Sequence, residues 1–200
     1  MKLAVLNYNM GNLASVTNAL KVIGVNATVE SDPSKILEYD KIILPGVGAF
    51  GDAMNHLKDI GMDSAIKEFA KSGKYMLGVC LGMQILFENS EEFGNHQGLG
   101  ILKGTVKRFQ KSDLKIPHMG WNKVFPKNHN SIFKNMDSDF YLYFIHSYYI
   151  ETQKSNILGE TIYGNKFTSA VQSENIFGLQ PHPEKSHKNG LQILNNFIEL

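Results

Sequence analysis

The first half of the chain alternates short apolar runs with stretches whose apolar residues recur at helical spacing. Leu3–Tyr8, Asn26–Glu30 and the runs KIILPG and KYMLGVC are too short for helices and predict buried strands. Between them, segments 13–23, 32–40 and 54–69 predict helices, with a break near Gly61, and LGMQILFEN predicts a helix after the fourth strand. Strands and helices in alternation are typical of a parallel sheet covered on both faces.

The second half carries fewer helical signals. The runs GTVKRF, FYLYFIHSYYI, ETIYGN, FTSAVQ and IFGLQ predict strands, several of them joined by short turns, and NGLQILNNFIEL predicts a final helix. The chain shows neither a repeat nor a linker. We therefore expect one α/β domain over residues 1–200, with an open, mostly parallel central sheet, flanking helices and additional antiparallel strands.

Composition narrows the class of protein. Of the 200 residues, 42% are hydrophobic and 20% are charged, and the net charge is +1, which is ordinary for a soluble fold. Arg108 is the only arginine, which argues against nucleic-acid binding and against a phosphate clamp made of arginines. No apolar stretch approaches a membrane span, and the N-terminal LAVLNY is too short for a signal peptide.

The single cysteine, Cys80, lies in the stretch GVCLGMQ. One cysteine cannot form an internal disulfide, so a reducing cytoplasm fits best. Gly78-Val79-Cys80-Leu81-Gly82 has the G-x-nucleophile-x-G form of a sharp strand-to-helix turn. Such a turn lifts the sulfur above the sheet edge, and the N–H of Leu81 becomes a natural oxyanion donor. Taken alone, the motif leaves a merely buried cysteine as an equal alternative.

A nucleophilic cysteine needs a base, and His182 is the best candidate. Among the seven histidines only His182 has an acidic residue two positions on, in QPHPEKS. Residues i and i+2 of an extended segment point to the same side, so Glu184 could orient the imidazole. An exposed turn is one alternative, and a zinc site using His182 and His187 is a weaker one, because no second cluster of ligands accompanies it.

The stretch LPGVGAF, residues 44–50, follows the third predicted strand. Pro45, Gly46 and Gly48 predict a loop with exposed backbone amides, at the sheet edge where Cys80 also lies. This position suggests a second oxyanion donor. A tight turn is the alternative, and a phosphate loop is excluded because no G-K-[ST] follows.

Taken in order, LPGVGAF, GVCLGMQ and LQPHPEKS resemble the class I glutamine amidotransferases, which have a flavodoxin-like fold. NYNMGN near the start, PHMGWN at 117–122 and IHSYY at 145–149 extend the resemblance over nearly the whole chain. These stretches are similar to the glutaminase subunits that supply ammonia to a cyclase of histidine biosynthesis. One position departs from the family pattern, because Pro181 stands where an aromatic residue commonly precedes the histidine.

The resemblance implies a Cys-His-Glu triad. Cys80 would attack the side-chain amide of glutamine, His182 would transfer the protons with Glu184 orienting it, and water would hydrolyse the thioester. The N–H of Leu81 and one from Val47 or Gly48 would hold the oxyanion. The residues implied in substrate binding are Gly46, Gly48, Gln84, Glu92, His146, Ser147 and Tyr148.

The resemblance also implies a (βα)₈-barrel cyclase as heterodimer partner, to which the ammonia is channelled, and no cofactor, metal, nucleic acid or membrane. The residues implied in the partner interface are Asn9, Met10, Asn12, Trp121 and Lys185. Three alternatives remain open. They are a paralogous glutaminase that serves surface-sugar synthesis, a cysteine peptidase or γ-glutamyl hydrolase of similar architecture, and an inactive glutamine-binding regulator.

Overall fold

The computed structural model describes residues 1–110, 114–129 and 131–200. The strands within these ranges are β1 Leu3–Leu6, β2 Thr28–Glu30, β3 Lys41–Leu44, β4 Tyr75–Val79, β5 Asn89–Ser90, β6 His96–Gln97, β7 Gly104–Arg108, β8 His118–Pro126, β9 Phe140–His146, β10 Tyr148–Thr152, β11 Ile157–Tyr163, β12 Asn165–Ser173 and β13 Ile176–Leu179. The α-helices are α1 Leu13–Val22, α2 Phe50–Asp59, α3 Met62–Lys71, α4 Leu81–Gln84 and α5 His187–Glu199.

The central sheet is parallel where the sequence predicts it. Five strands lie in the order β2-β1-β3-β4-β13, and each adjacent pair is parallel. Every residue of β1, β3 and β13 is buried, as expected for strands covered on both faces. β4 and β13 are adjacent, and both end at the same sheet edge, so Cys80 and the segment after Leu179 come together there.

Further strands extend this core, and all of their pairings are antiparallel except the parallel pair β5 and β7. β12 pairs with β13, and β10, β7, β5 and β6 continue the sheet outward, while β11, β8 and β9 branch from β12. The predicted fold class, a mostly parallel central sheet with flanking helices and added antiparallel strands, is confirmed. Helices α1 and α5 pack on one face of the central sheet, and α2 and α3 pack on the other face.

Several local predictions need correction. FYLYFIHSYYI is two strands that separate at Ser147, and the stretch MGWN, for which the sequence pattern predicts no strand, is part of β8. The helix after Cys80 ends at Gln84, and DPSKILEYD forms a 3₁₀ helix at Pro33–Glu38. The predicted break at Gly61 is confirmed, because Gly61 has a φ of 72° between α2 and α3, a conformation that glycine adopts without steric cost. No helix among the described residues is long and apolar enough to cross a membrane.

Candidate active site

Cys80 sits on the sharp turn that its flanking glycines predict. It joins β4 to α4 with φ 56° and ψ −115°, a backbone conformation that is costly for a residue with a side chain. Its own N–H donates to the Leu179 carbonyl at 2.7 Å, and its carbonyl accepts from the N–H of Met83 at 3.0 Å. These bonds to β13 and α4 hold the strained turn in place.

Close packing around the turn requires glycine at positions 78 and 82. A Cβ on Gly78 would lie 2.6 Å from the carbonyl oxygen of Gly82, and one on Gly82 would overlap the carbonyl oxygen of Leu44 at the end of β3. Two strands and a helix therefore meet around Cys80 at distances that only glycine allows.

His182 and Glu184 form a buried pair. The Nδ1 atom of His182 lies 2.7 Å from Oε1 of Glu184, and the two side chains are 3% and 2% exposed. The N–H of His182 donates to the Tyr143 carbonyl at 2.9 Å, so Pro181 leaves the backbone bond of the histidine intact. Nε2 of His182 has no hydrogen-bond partner among the described residues. The nitrogen opposite Glu184 is therefore free for a reacting group.

The electrostatics favour a protonated imidazole. Burial by itself lowers the pKa of His182, but the negative charge of Cys80, followed by the hydrogen bond and charge of Glu184, raises it from 6.5 to about 10. The pKa of the buried Tyr8 hydroxyl is also raised, first by burial and then by the charge of Cys80. The arrangement suits a thiolate and an imidazolium side by side, the pair that an acyl-transfer site needs.

Cys80 and His182 open onto one cavity of about 240 Å³. Its lining residues are Val47, Gly48, Cys80, Leu81, Gln84, Glu92, Ile145, His146, Ser147, Tyr148, His182 and Lys185. All but Ile145 were singled out from the sequence. The lining does not include Gly46, Glu184, Asn9, Met10, Asn12 or Trp121.

The loop 45–49 is held from two sides. The Tyr8 hydroxyl donates to the Pro45 carbonyl at 2.8 Å, and Oε2 of Glu92 accepts from the N–H of Phe50 at 2.6 Å. Between these anchors Gly48 has a φ of 102°, which favours glycine. Burial raises the pKa of Glu92 above its ordinary value, although the Phe50 hydrogen bond lowers it in part. The segment is anchored at its ends, while Val47 and Gly48 face the cavity.

Gln180 is a site residue that the sequence reasoning missed. Nε2 of Gln84 donates to Oε1 of Gln180 at 2.9 Å, and Nε2 of Gln180 approaches the Cys80 sulfur at 3.8 Å. Gln180 precedes His182 by two residues, so the same alternation that links His182 to Glu184 could have found it. It connects the predicted nucleophile to Gln84.

Both ring nitrogens of His146 already have hydrogen-bond partners within the protein. Its Nδ1 atom lies 2.7 Å from the Tyr148 carbonyl oxygen, and its Nε2 atom lies 2.9 Å from Nδ1 of His118. Because both ring nitrogens are engaged, the ring has no free nitrogen for a substrate, although His146 lines the cavity and its substrate contact stays a prediction. His118, the other member of the pair, was not singled out from the sequence.

The residues predicted for a partner interface differ in exposure and in contacts. Trp121 is 45% exposed and stacks on His187, with ring centroids 5.0 Å apart. Lys185 is exposed at the cavity and lies over the Tyr143 ring. Asn9 is exposed, and Asn12 caps α1 by accepting from the N–H of Ser15. Capping is a structural role that leaves the interface prediction for Asn12 untested.

Comparison with known proteins decides the family. The family model for glutamine amidotransferase class-I matches residues 4–200. The chain belongs to the class-I glutamine amidotransferase family. It is 59% identical to the imidazole glycerol phosphate synthase subunit HisH of Sulfurimonas denitrificans, over 98% of this chain and 97% of that one. It is 53% identical to the HisH subunit of Wolinella succinogenes, over 98% of both chains.

Solved structures agree in fold with this glutamine amidotransferase. PurLQS from Thermotoga maritima superposes with a TM-score of 0.78 at 20% identity, covering 99% of this chain and 97% of that one. A structure described as a glutamine amidotransferase gives a TM-score of 0.78 at 17% identity, covering 100% of this chain and 98% of that one. Among the described residues, no group of three His, Cys, Asp or Glu side chains is arranged to hold a metal ion.

Proposed function

We propose that the enzyme hydrolyses L-glutamine to glutamate and ammonia with Cys80 as nucleophile, His182 as proton-transfer group and Glu184 as the residue that orients His182. The observation that carries this proposal is the buried His182–Glu184 pair, in which His182 lines the same cavity as Cys80 and keeps an Nε2 atom without a hydrogen-bond partner among the described residues. The thiolate attacks the side-chain carbonyl carbon of glutamine. The imidazolium then gives its proton to the departing amine, which leaves as ammonia.

The second half of the reaction uses the same groups. After ammonia leaves, neutral His182 takes a proton from water, and the hydroxide attacks the γ-glutamyl thioester on Cys80. Breaking the carbon–sulfur bond releases glutamate and restores the thiolate beside the imidazolium. Glu184 keeps Nδ1 of His182 protonated throughout, so that Nε2 is the atom that exchanges protons.

The oxyanion of each tetrahedral intermediate would be held by the N–H of Leu81 and by an N–H of the 46–48 segment. The Leu81 amide follows Cys80 directly, and Val47 and Gly48 line the same cavity. Because Gly48 has a left-handed φ, a peptide here can reorient at low steric cost. We propose that this segment supplies the second donor.

Glutamine would be held by the remaining wall of the cavity. Glu92 is half-buried and can pair with the α-ammonium group, while Gln84 and the Ser147-Tyr148 backbone border the place for the side chain and α-carboxylate. A cavity of about 240 Å³ has room for an amino acid.

The ammonia would pass to a cyclase subunit of (βα)₈-barrel fold that makes imidazole glycerol phosphate and an aminoimidazole carboxamide ribonucleotide in histidine biosynthesis. The HisH names of the relatives support this partner. We propose that the cyclase subunit docks on exposed apolar side chains of β8 and β9. Met119, Trp121 and Ile145 are 59%, 45% and 36% exposed. Asn9, Met10, Asn12 and Lys185 would add polar and apolar contacts.

We also propose that residues 1–200 fold as a single domain and that the enzyme works in the cytoplasm. Cys80 is a free cysteine, and the reaction needs it to remain reduced, which a reducing compartment ensures. No cofactor takes part in the reaction as proposed.

The test is to trap the acyl-enzyme. The enzyme with its cyclase partner is mixed with glutamine, quenched in acid within one turnover, and digested for peptide mass spectrometry. The proposal predicts a γ-glutamyl adduct on the peptide that carries Cys80, and no adduct in Cys80→Ala. Steady glutamine hydrolysis with an adduct on another residue would contradict the assignment of Cys80.

A further inference from the structure

A series of hydrogen bonds runs from β8 to the cavity wall through two buried histidines. The side-chain amide nitrogen of Asn122 lies 3.2 Å from Nε2 of His118. Nδ1 of His118 lies 2.9 Å from Nε2 of His146, whose Nδ1 lies 2.7 Å from the Tyr148 carbonyl oxygen. His118 and His146 are only 3% and 6% exposed. We call these four residues the histidine relay.

The direction of every bond in the relay is fixed from its two ends. A carbonyl oxygen only accepts, so Nδ1 of His146 carries the hydrogen that points to Tyr148. At the other end, the oxygen of the Asn122 amide accepts from the N–H of Lys123 at 2.8 Å, so its nitrogen faces His118. Neutral rings then satisfy all contacts in only one way, with both histidines protonated at Nδ1 and accepting at Nε2.

The surroundings keep both rings neutral. Burial lowers the pKa of His118 to about 4 and that of His146 to about 3. Phe144 and Tyr163 stack on the His118 ring, with centroids 4.8 Å and 4.0 Å away. Phe109 and Phe167 each lie 5.2 Å from the His146 ring. The cage is aromatic, so a hydrogen bond inside it is stronger than one in water.

The relay ends at a backbone group with a second donor. The Tyr148 carbonyl also accepts from Nε2 of Gln84 at 3.2 Å, so both of its lone pairs are used. These two hydrogen bonds fix the backbone at Ser147, between the end of β9 and the start of β10. Ser147, Tyr148 and Gln84 all line the cavity. The orientation of this wall depends on donors from two different elements.

We propose that His118 and His146 are positioning residues that hold the Ser147-Tyr148 wall in the geometry that receives glutamine. This inference rests on the proposed function, because it takes the cavity to be the glutamine site. His118 does not line the cavity, so it acts through His146. The relay also begins on β8, which carries the exposed Met119 and Trp121, and it ties that strand to the glutamine wall.

The test compares two substitutions of His118 by calorimetric glutamine binding in the Cys80→Ala enzyme, which cannot turn glutamine over. His118→Phe keeps the aromatic stack but removes the donor to His146. His118→Asn keeps an N–H close to the position of Nδ1. We expect His118→Phe to weaken glutamine binding about three- to tenfold, the range that one neutral hydrogen bond supplies. We expect His118→Asn to restore most of the affinity.

The outcomes separate the relay from a purely structural role and from the proposed function. Equal glutamine affinity in His118→Phe and its parent would overturn the relay, as would equal weakening by both substitutions. Glutamine hydrolysis by Cys80→Ala itself would instead overturn the proposed function. Should His118→Phe fail to fold, ¹⁵N NMR of the unmutated protein provides the test, because it shows which ring nitrogen of His118 and of His146 carries the hydrogen. The relay requires Nδ1–H on both neutral rings, and Nε2–H on either ring contradicts it.

Discussion

At the scale of single residues, the proposed chemistry depends on the protonation of His182, and burial, Cys80 and Glu184 determine that protonation. Burial opposes a charge on its ring, yet Cys80 and Glu184 together raise its pKa to about 10. The Glu184 carboxylate is itself buried, with Oε1 on His182 and Oε2 without a partner among the described residues. The Glu184 carboxylate therefore has His182 as its only hydrogen-bond partner among the described residues. Removing its charge should change the pKa and the orientation of the His182 ring.

Glu184→Gln should lower both the rate and the basicity of His182. An amide at position 184 can donate to the imidazole as well as accept, so the ring loses its fixed tautomer, and we expect kcat to fall about tenfold or more. Because Glu184 raises the pKa of His182, its neutralisation should also move that pKa downward. Glutaminase kinetics and an NMR titration of His182 measure the two effects.

The matched control for this variant is Glu38→Gln, which neutralises an exposed carboxylate at the end of the 3₁₀ helix. It should change neither quantity. An unchanged rate and an unchanged His182 pKa in Glu184→Gln would show that Glu184 is a bystander.

At the scale of elements, the site depends on how closely α4 approaches the ends of β3 and β4. Gly82 faces the Leu44 carbonyl, and Gly46 faces the backbone nitrogen of Gly82, where an added Cβ would lie at 2.7 Å. The oxyanion segment and the cysteine turn are therefore packed backbone to backbone. A change in either element displaces the other.

Gly82→Ala should disrupt the turn far more than an ordinary glycine substitution. The added Cβ would overlap the Leu44 carbonyl, so the backbone must move, and we expect a loss of unfolding free energy above about 4 kcal/mol together with loss of activity. Gly73→Ala is the matched control. Gly73 has a φ of 78°, but no atom lies within 4 Å of the place that its Cβ would take, so it should lose only about 1–2 kcal/mol.

Chemical denaturation measures both variants, and a glutaminase assay follows their activity. Gly82→Ala that is as stable as Gly73→Ala would contradict the close packing described for the turn.

At the scale of the whole molecule, the sequence predicted the parallel core and the triad stretches because both depend on local pattern. Apolar runs of strand length and the glycines around Cys80 carry their structure in adjacent residues. The relay of His118 and His146 could not be predicted in this way. Its members lie 28 residues apart, and they meet only because β8 and β9 pair in the register His118↔His146.

The same limit explains the errors. The split of FYLYFIHSYYI at Ser147 arises because β9 pairs with β8 while β10 pairs with β7 and β12. No signal in the apolar run itself marks that change of partner. The place of Trp121 in β8 likewise depends on its pairing with Tyr143.

We propose that Cys80 generates ammonia for the cyclase subunit and is not needed for the cyclase reaction itself. The most direct measurement is cyclase product formation by the Cys80→Ala enzyme in complex with the cyclase subunit, supplied either with glutamine or with an ammonium salt. We predict that glutamine-dependent synthesis is abolished while ammonium-dependent synthesis matches that of the unmutated complex. Retained glutamine-dependent synthesis, or loss of both activities in an intact complex, would contradict the account.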